Sequence, residues 1–300
     1  MPKSQILIHV GYPKTASTWL QKSVFADDTT GYFAPWGAKS TQLRREFVTP
    51  AYSNISAEVI RKTFEPGLQE AAQRRLIPVL SDENLSGTLS IGKGWKKEVV
   101  NRIHDIFPQG KIFVVIREQK SMLLSAYRQH VGMGHTSSIQ KYIGTGSTQS
   151  GSTPICQLQF LNFDELIEYY QKLFGRDNVI VLPFELLKKD VKTFFDKLND
   201  FTGASGSIDY SKKGKNVGIK GVKLATLRQL NFLFPPYRQI NIKYKVAEAA
   251  ARVLPHKIHE SIENSLQEFI AQRVGDSYRQ SNQRTSQLIG INLAEFGYDC

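Results

Sequence analysis

A lysine set among small hydroxylated residues, an arginine closing one apolar run and two adjacent carboxylates closing another are the groups in this sequence best suited to work on an anion. The first lies in Gly11-Tyr-Pro-Lys-Thr-Ala-Ser-Thr18, where Lys14 brings a full positive charge and Thr15, Ser17 and Thr18 bring hydroxyls. Ile6, Leu7, Ile8 and Val10 ahead of it read as a buried strand, and Trp19, Leu20 and Val24 behind it fall at helical spacing. A strand that turns into a helix leaves the N–H groups of the first helical turn unpartnered at the positive end of the dipole, which suits phosphate or sulfate. The Walker A pattern ends in Gly-Lys-Ser/Thr, whereas here Ala16 replaces the second glycine and the lysine stands about three positions earlier. Alanine costs little at that position if its φ is negative. The plain alternative is a Ser/Thr-capped helix after an N-terminal strand, with no ligand.

Arg117 follows Lys111-Ile-Phe-Val-Val-Ile116, the most strand-like run in the chain. A kinase or ATPase usually needs an acidic residue after such a strand to hold magnesium; an arginine binds phosphate oxygens directly, in bidentate fashion. Ser125 can converge with it from the face of a following helix, and Ser121, four residues before Ser125, shares that face. An ion pair of Arg117 with Glu118 or another acid is the competing reading. Asp82 and Glu83 follow the run Leu76–Leu80 and so fall at the C-terminal edge of a sheet, where open α/β folds bind ligands.

These groups need a frame, and the sequence alternates strand and helix. Strands at 6–10, 76–80, 111–116 and 179–182, with helices near 95–107, 119–131, 160–174 and 183–201, imply an α/β fold. Its centre is a parallel sheet with right-handed crossovers, flanked by helices in three layers. The segment 57–75 is helix-compatible but broken at Pro66-Gly67. Residues 29–50, rich in aromatics, glycine and proline, read as a loop with buried anchors, and 132–153, rich in glycine, serine and threonine, as a mobile surface loop. The part from about 220 to 300 is mostly helical. With 300 residues and no internal repeat, one domain spanning 1–300 is expected.

Composition narrows the partners. A hydrophobic content of 41% with 22% charged residues is that of a folded globular protein. No apolar run approaches the roughly 20 residues that span a bilayer, and the N-terminus lacks a signal-like region, so a cytoplasmic protein is expected. Cys156 and Cys300 are too few for a disulfide framework or a cysteine-based zinc site, and no metal is expected. The 39 Lys+Arg against 27 Asp+Glu give a formal +12, which favours anionic partners, although no zinc finger or RNA-recognition signature supports nucleic acid.

Taken together, Tyr12-Pro-Lys-Thr-Ala-Ser-Thr-Trp-Leu20 and Arg117-x7-Ser125-x-Tyr127 resemble the two signature motifs of the sulfotransferases that use 3′-phosphoadenosine 5′-phosphosulfate (PAPS). The likeness continues in Leu173–Leu187, similar to a strand and acidic-helix segment of bacterial members, and in the closing Gly290–Tyr298. It implies a P-loop-NTPase-like sulfotransferase fold with a helical C-terminal part and a PAPS-binding core over about 1–130 and 155–225. Acceptor loops would lie at 29–50 and 132–153. PAPS would be the donor and 3′-phosphoadenosine 5′-phosphate (PAP) the product, with no metal required.

Carried over to this sequence, Lys14, Thr15, Ala16, Ser17, Thr18 and Trp19 would surround the 5′-phosphosulfate, and Arg117 and Ser125 the 3′-phosphate. Lys215 and Asn216, in a basic segment similar to a loop that closes over the nucleotide, would complete the site. Lys14 would act at the bridging oxygen. A hydroxyl acceptor needs a base, and glycan-modifying members use glutamate where small-molecule members use histidine. Glu83 is the favoured base, with Asp82 as its local competitor; His130 and His135 are candidate acceptor-site groups, and His104 reads as packed or exposed. A glycan or another polar hydroxyl compound fits the charge. A P-loop nucleotide kinase or NTPase, with Val79–Asp82 imitating its acidic strand, and a non-catalytic anion- or glycan-binding module are the alternatives.

Overall fold

Five runs form strands: β1 (Leu7–Gly11), β2 (Tyr32–Phe33), β3 (Ile77–Ser81), β4 (Lys111–Ile116) and β5 (Val179–Pro183). They pair in the order β2-β3-β1-β4-β5, every pair parallel. This computed structural model describes residues 5–37, 46–48, 56–90, 94–95, 97–146, 153–209, 218–234 and 240–300. Alternation along the strands feeds two cores. Leu7, Val79, Phe113, Val115 and Leu182 belong to one, and Ile8, Val10, Leu80, Ile112, Val114 and Ile116 to the other.

The helices α1 (Ser17–Trp19), α2 (Ala57–Arg74), α3 (Lys97–Ile106), α4 (Gln119–Gly132), α5 (Ile139–Ile143), α6 (Phe163–Phe174), α7 (Phe184–Lys189) and α8 (Val191–Thr202) connect and flank the strands. They are followed by α9 (Gly221–Leu233), α10 (Ile240–Val253), α11 (His256–Val274) and α12 (Arg279–Ile289). Helices α2, α3, α4 and α6 bury apolar stripes in the Ile8 core, while Trp19, Leu20 and Val24 join Phe194, Phe195 and Leu198 of α8 in the Leu7 core. The result is the expected three-layer parallel α/β arrangement. The C-terminal helices lie outside it, with α9 and α11 on α4 and α12 on α6. Gln119 donates to the Asn282 side chain at 2.6 Å, and Ser281 to Asp164. No helix among the described residues is long and apolar enough to cross a membrane.

Four local expectations are corrected. The segment after Thr29 contributes β2, an extra edge strand: the sheet has five strands where sequence indicated four, because a two-residue strand has no periodicity to detect. Helix α2 runs unbroken through Pro66. Pro66 is exposed, so the carbonyl it leaves unpaired is on the solvent side, while Ile60, Phe64 and Ala71 hold the helix on the core from both sides of it. Within 132–153, Ile139, Tyr142 and Ile143 are buried on α5, which Ser138 caps by accepting from Lys141 N. That apolar triplet at helical spacing sits inside a composition otherwise typical of a surface loop. Finally, the helix after the first loop has only three α-helical residues and continues as a π-helical turn, Leu20–Val24.

Candidate active site

The C-terminal ends of β1, β3, β4 and β5 open on one cavity of about 610 Å³. Because β1 is central, with β3 on one side and β4 on the other, the cavity lies where the strand order reverses, the usual ligand position in such sheets. Lys14, Ala16, Ser17, Thr18 and Trp19 line it from the first loop, Glu83 from the end of β3, and Arg117 and Ser125 from β4 and α4. Lys215 and Asn216 lie outside the described residues.

The loop after β1 is wound tightly. Gly11 has φ +107°, and a side chain there would meet the Glu83 carbonyl and the Ser86 hydroxyl at 2.9 Å, so the close approach of the two strand ends requires glycine. Lys14 and Ala16 also have positive φ, +69° and +66°. The condition under which alanine would cost little, a negative φ, is therefore not met at Ala16. The winding that imposes the positive value is visible in the hydrogen bonds: the Tyr12 carbonyl accepts from the Thr15 hydroxyl at 2.5 Å and from the Ser17 hydroxyl at 3.3 Å. The Ala16 carbonyl accepts from both Trp19 N and Leu20 N. Left-handed alanine costs on the order of 1 kcal/mol, which the surrounding bonds offset.

Tyr12 itself is buried, its ring edge-on to Phe160 and Phe163 at 5.0 and 4.9 Å between centroids. The backbone N–H groups of Thr15, Ala16, Ser17 and Thr18 have no acceptor among the described residues, and three of these residues line the cavity. Thr15 does not. It is fully buried, and its hydroxyl serves the winding of the loop. Trp19 contributes to the cavity wall but mainly packs in the Leu7 core against Phe195.

Arg117 ties the two predicted anion motifs together. Its Nη1 donates to the Lys14 carbonyl at 3.0 Å and its Nε to the Ser121 hydroxyl at 3.0 Å. Its Nη2 makes no hydrogen bond among the described residues. The competing ion pair with Glu118 is absent: the Glu118 carboxylate instead caps α4 by accepting from Lys120 N and Ser121 N. Burial pulls the Arg117 pKa below its usual value, opposed by the negative charges of Glu185 and Glu118, and the group stays cationic across the physiological range. Glu185, half-buried under the same corner, has its pKa raised by desolvation, while it accepts from Glu118 N and the Tyr298 hydroxyl.

At the end of β3 the two carboxylates part. Asp82 is fully buried, and its Oδ1 accepts from Asn84 N at 2.8 Å and from the Asn84 side chain at 2.6 Å, a turn cap outside the cavity wall. Glu83 lines the cavity, with its Oε2 3.3 Å from Gln21 Nε2. His104 is away from the cavity, edge-on to Phe174. His130 and His135 line the far wall, their rings stacked at 4.0 Å and 7°. Burial, reinforced by His135, lowers the His130 pKa to about 4, so His130 is neutral at physiological pH. Sequence reasoning missed Phe184 and Lys188 of α7 and Tyr142 of α5, all on the cavity wall. Phe184 had a legible signal: it follows β5 as Arg117 follows β4, and its ring lies 5.0 Å from Arg117 Cζ and 4.7 Å from Lys188 Nζ.

The wall thus offers unpaired N–H donors and a lysine at one end, an arginine and a serine beside them, and a carboxylate facing the same space. Among solved structures the chain is similar to a sulfotransferase from Alicyclobacillus acidocaldarius, at 12% identity over 98% of each chain, with a TM-score of 0.59. The fold is a sulfotransferase fold. The sulfotransferase domain of the Synechococcus PCC 7002 olefin synthase matches at 14% identity over 84% of this chain and 96% of that one, with a TM-score of 0.41. A mouse sulfotransferase complexed with PAP matches at 12% identity over 93% and 89%, with a TM-score of 0.30. Both of these overlay too loosely to bear on the site. No family model matches the sequence, and no curated protein does.

Proposed function

We infer that this protein transfers a sulfuryl group from PAPS to a hydroxyl of a polar acceptor. The observation that carries the inference is the bond from Arg117 to the Lys14 carbonyl: it puts two anion-binding motifs, 103 positions apart in sequence, side by side on one cavity wall. A nucleoside triphosphate needs one phosphate cradle; a nucleotide with a 5′-phosphosulfate and a separate 3′-phosphate needs two. The kinase alternative loses its acid, because Asp82 is consumed as a turn cap outside the cavity and an arginine stands at the end of β4.

The donor supplies a sulfuryl group already activated by its phosphate leaving group. The chain's own residues then have distinct tasks. The N–H groups of Ala16, Ser17 and Thr18 and the Lys14 ammonium bind the phosphosulfate end, and Lys14 neutralises charge that develops on the leaving oxygen. Arg117, through Nη2, and the Ser125 hydroxyl bind the 3′-phosphate. Glu83 accepts the proton of the acceptor hydroxyl. His130, His135 and Tyr142 line the part of the cavity where the acceptor would lie; a glycan hydroxyl fits this polar, aromatic surface.

Thermal stabilisation by PAP compared with adenosine 5′-phosphate tests the inference, since a ligand specific for the folded state stabilises it by about 2.7 kcal/mol at a hundredfold excess over Kd. PAP should stabilise the protein well beyond the monophosphate, without magnesium. Transfer of labelled sulfate to a hydroxyl acceptor should follow and be abolished by Glu83→Gln. Equal stabilisation by both nucleotides, or a requirement for magnesium-ATP, overturns the reading.

A further inference from the structure

Behind Glu83 runs a buried polar chain that nucleotide binding does not explain. Gln21 is buried in the π-helical turn, and its Nε2 lies 3.3 Å from Glu83 Oε2, 3.1 Å from Ser81 Oγ and 3.4 Å from the Ser81 carbonyl. Ser81 Oγ is in turn 2.7 Å from Nδ1 of His9, which is fully buried on β1. We propose that Gln21, anchored by Ser81 and His9, is the positioning residue for Glu83, holding its carboxylate toward the cavity in the proton-accepting form.

The direction of each bond follows from what the partners can do. A carboxylate and a main-chain carbonyl only accept, so both demand the amide NH2, and the reversed amide would set its oxygen against two acceptors. Ser81 Oγ accepts from the same NH2, which leaves its own proton for His9 Nδ1. His9 then carries its proton on Nε2, which has no hydrogen-bond partner among the described residues and lies in the ring cluster with Phe25 and Phe113, whose centroids are 5.7 and 5.1 Å away. This order is self-consistent only with His9 neutral, and burial lowers its pKa to about 4 despite the opposing charge of Glu83. The two amide protons are thus shared between Glu83 Oε2 and the two Ser81 oxygens, the Ser81 carbonyl being the most distant at 3.4 Å, the Ser81 hydroxyl proton goes to His9, and the donor at the outer end of the chain faces Glu83. The π-helical geometry has a role here, since widening the turn moves Gln21 relative to a regular helix, as such turns often do at functional sites.

The other charged or titratable groups that share the cavity with Glu83 are Lys14 from the first loop, Arg117 after β4, Lys188 from α7, and His130, His135 and Tyr142, with buried Asp82 beside it in the chain and buried His9 behind. All remain in a Gln21→Met variant, which keeps the side-chain volume and deletes only the amide, so a difference from the parent reports the amide alone.

The inference rests on the proposed transferase reading but is tested apart from it. In protein labelled with 13C at glutamate Cδ, the Glu83 signal is assigned by its loss in Glu83→Gln, and its titration is followed in the parent, in Gln21→Met and in Ser81→Ala. A lost hydrogen bond to the ionised form should raise the midpoint by about one pH unit in Gln21→Met and by less in Ser81→Ala. With sulfate transfer as readout, kcat of Gln21→Met should fall about tenfold at neutral pH with its acid limb moved upward, while the stabilisation by PAP stays unchanged. An unmoved Glu83 midpoint in a folded Gln21→Met or Ser81→Ala protein overturns the proposal, and a lowered melting temperature alone does not support it. Absence of any transfer by the parent would count against the transferase reading and leave the NMR result to decide this one.

Discussion

Between Gly11 and Thr18 the backbone itself is the proposed binding element, whereas around Arg117 the backbone is an ordinary strand and a capped helix from which a side chain reaches out. The first arm depends on positive φ at Gly11, Lys14 and Ala16 and spends the Thr15 and Ser17 hydroxyls on its own winding. The second uses Glu118 to cap α4 and frees Arg117 to bridge to the loop. A site assembled from main-chain N–H groups tolerates change in side chains that only face it and fails when its conformation shifts; a site made by one guanidinium behaves the other way.

Several substitutions break or sharpen this contrast. Lys14→Ala removes the one full charge of the loop arm while leaving its N–H groups, and should cut sulfate transfer by about 10³-fold with the melting temperature nearly unchanged. If nucleotide binding vanished with it, the backbone would not be the binding element. The two arms should also respond oppositely to acid. His9, beneath the loop, is held near pKa 4 against 6.5 when unfolded, so between those values the unfolded chain binds more protons and stability falls as pH is lowered. Its share is about 3 kcal/mol by pH 4. Glu185, beneath Arg117, has a raised pKa, so its contribution is present below its unfolded value and is lost as pH rises through the folded one. Melting curves from pH 8 to pH 4 should show the decline, and His9→Phe should flatten it.

Arg117→Ala should weaken PAP by about 10- to 100-fold, the worth of a charge-assisted pair, without affecting adenosine 5′-phosphate. Calorimetric titration of both nucleotides measures the split, and equal losses would mean that Arg117 supports the loop through the Lys14 carbonyl more than it binds the 3′-phosphate. The smallest effect concerns the loop alone: Ala16→Gly relieves about 1 kcal/mol of left-handed strain but adds entropy to the unfolded chain, so the net gain in stability should be no more than about 0.5 kcal/mol, or roughly 1 °C in Tm.

The same contrast explains what the sequence disclosed. Ile112, Val114 and Ile116 alternating with Phe113 and Val115 announced β4, and the place of Arg117 on the cavity wall was legible because it depends on residue type and position after that strand. Glu83 could be preferred to Asp82 only weakly from sequence, since adjacent carboxylates look alike until one is seen capping Asn84. The conformation of Ala16 was not legible at all: it follows from hydrogen bonds to the Tyr12 and Ala16 carbonyls, which composition does not encode. Thr15 was misplaced for the same reason. Helix α5 was hidden because three buried side chains, Ile139, Tyr142 and Ile143, count for little against surrounding glycine and serine.

The burial of Tyr12 against Phe160 and Phe163 has a consequence in time. The residue whose carbonyl winds the loop after β1 is seated by rings about 150 positions downstream, so the loop is synthesised well before the side chains that fix it. On the ribosome this loop cannot take its final shape until the start of α6 has emerged, so the nascent chain acquires the wound loop only after most of the sheet has been made.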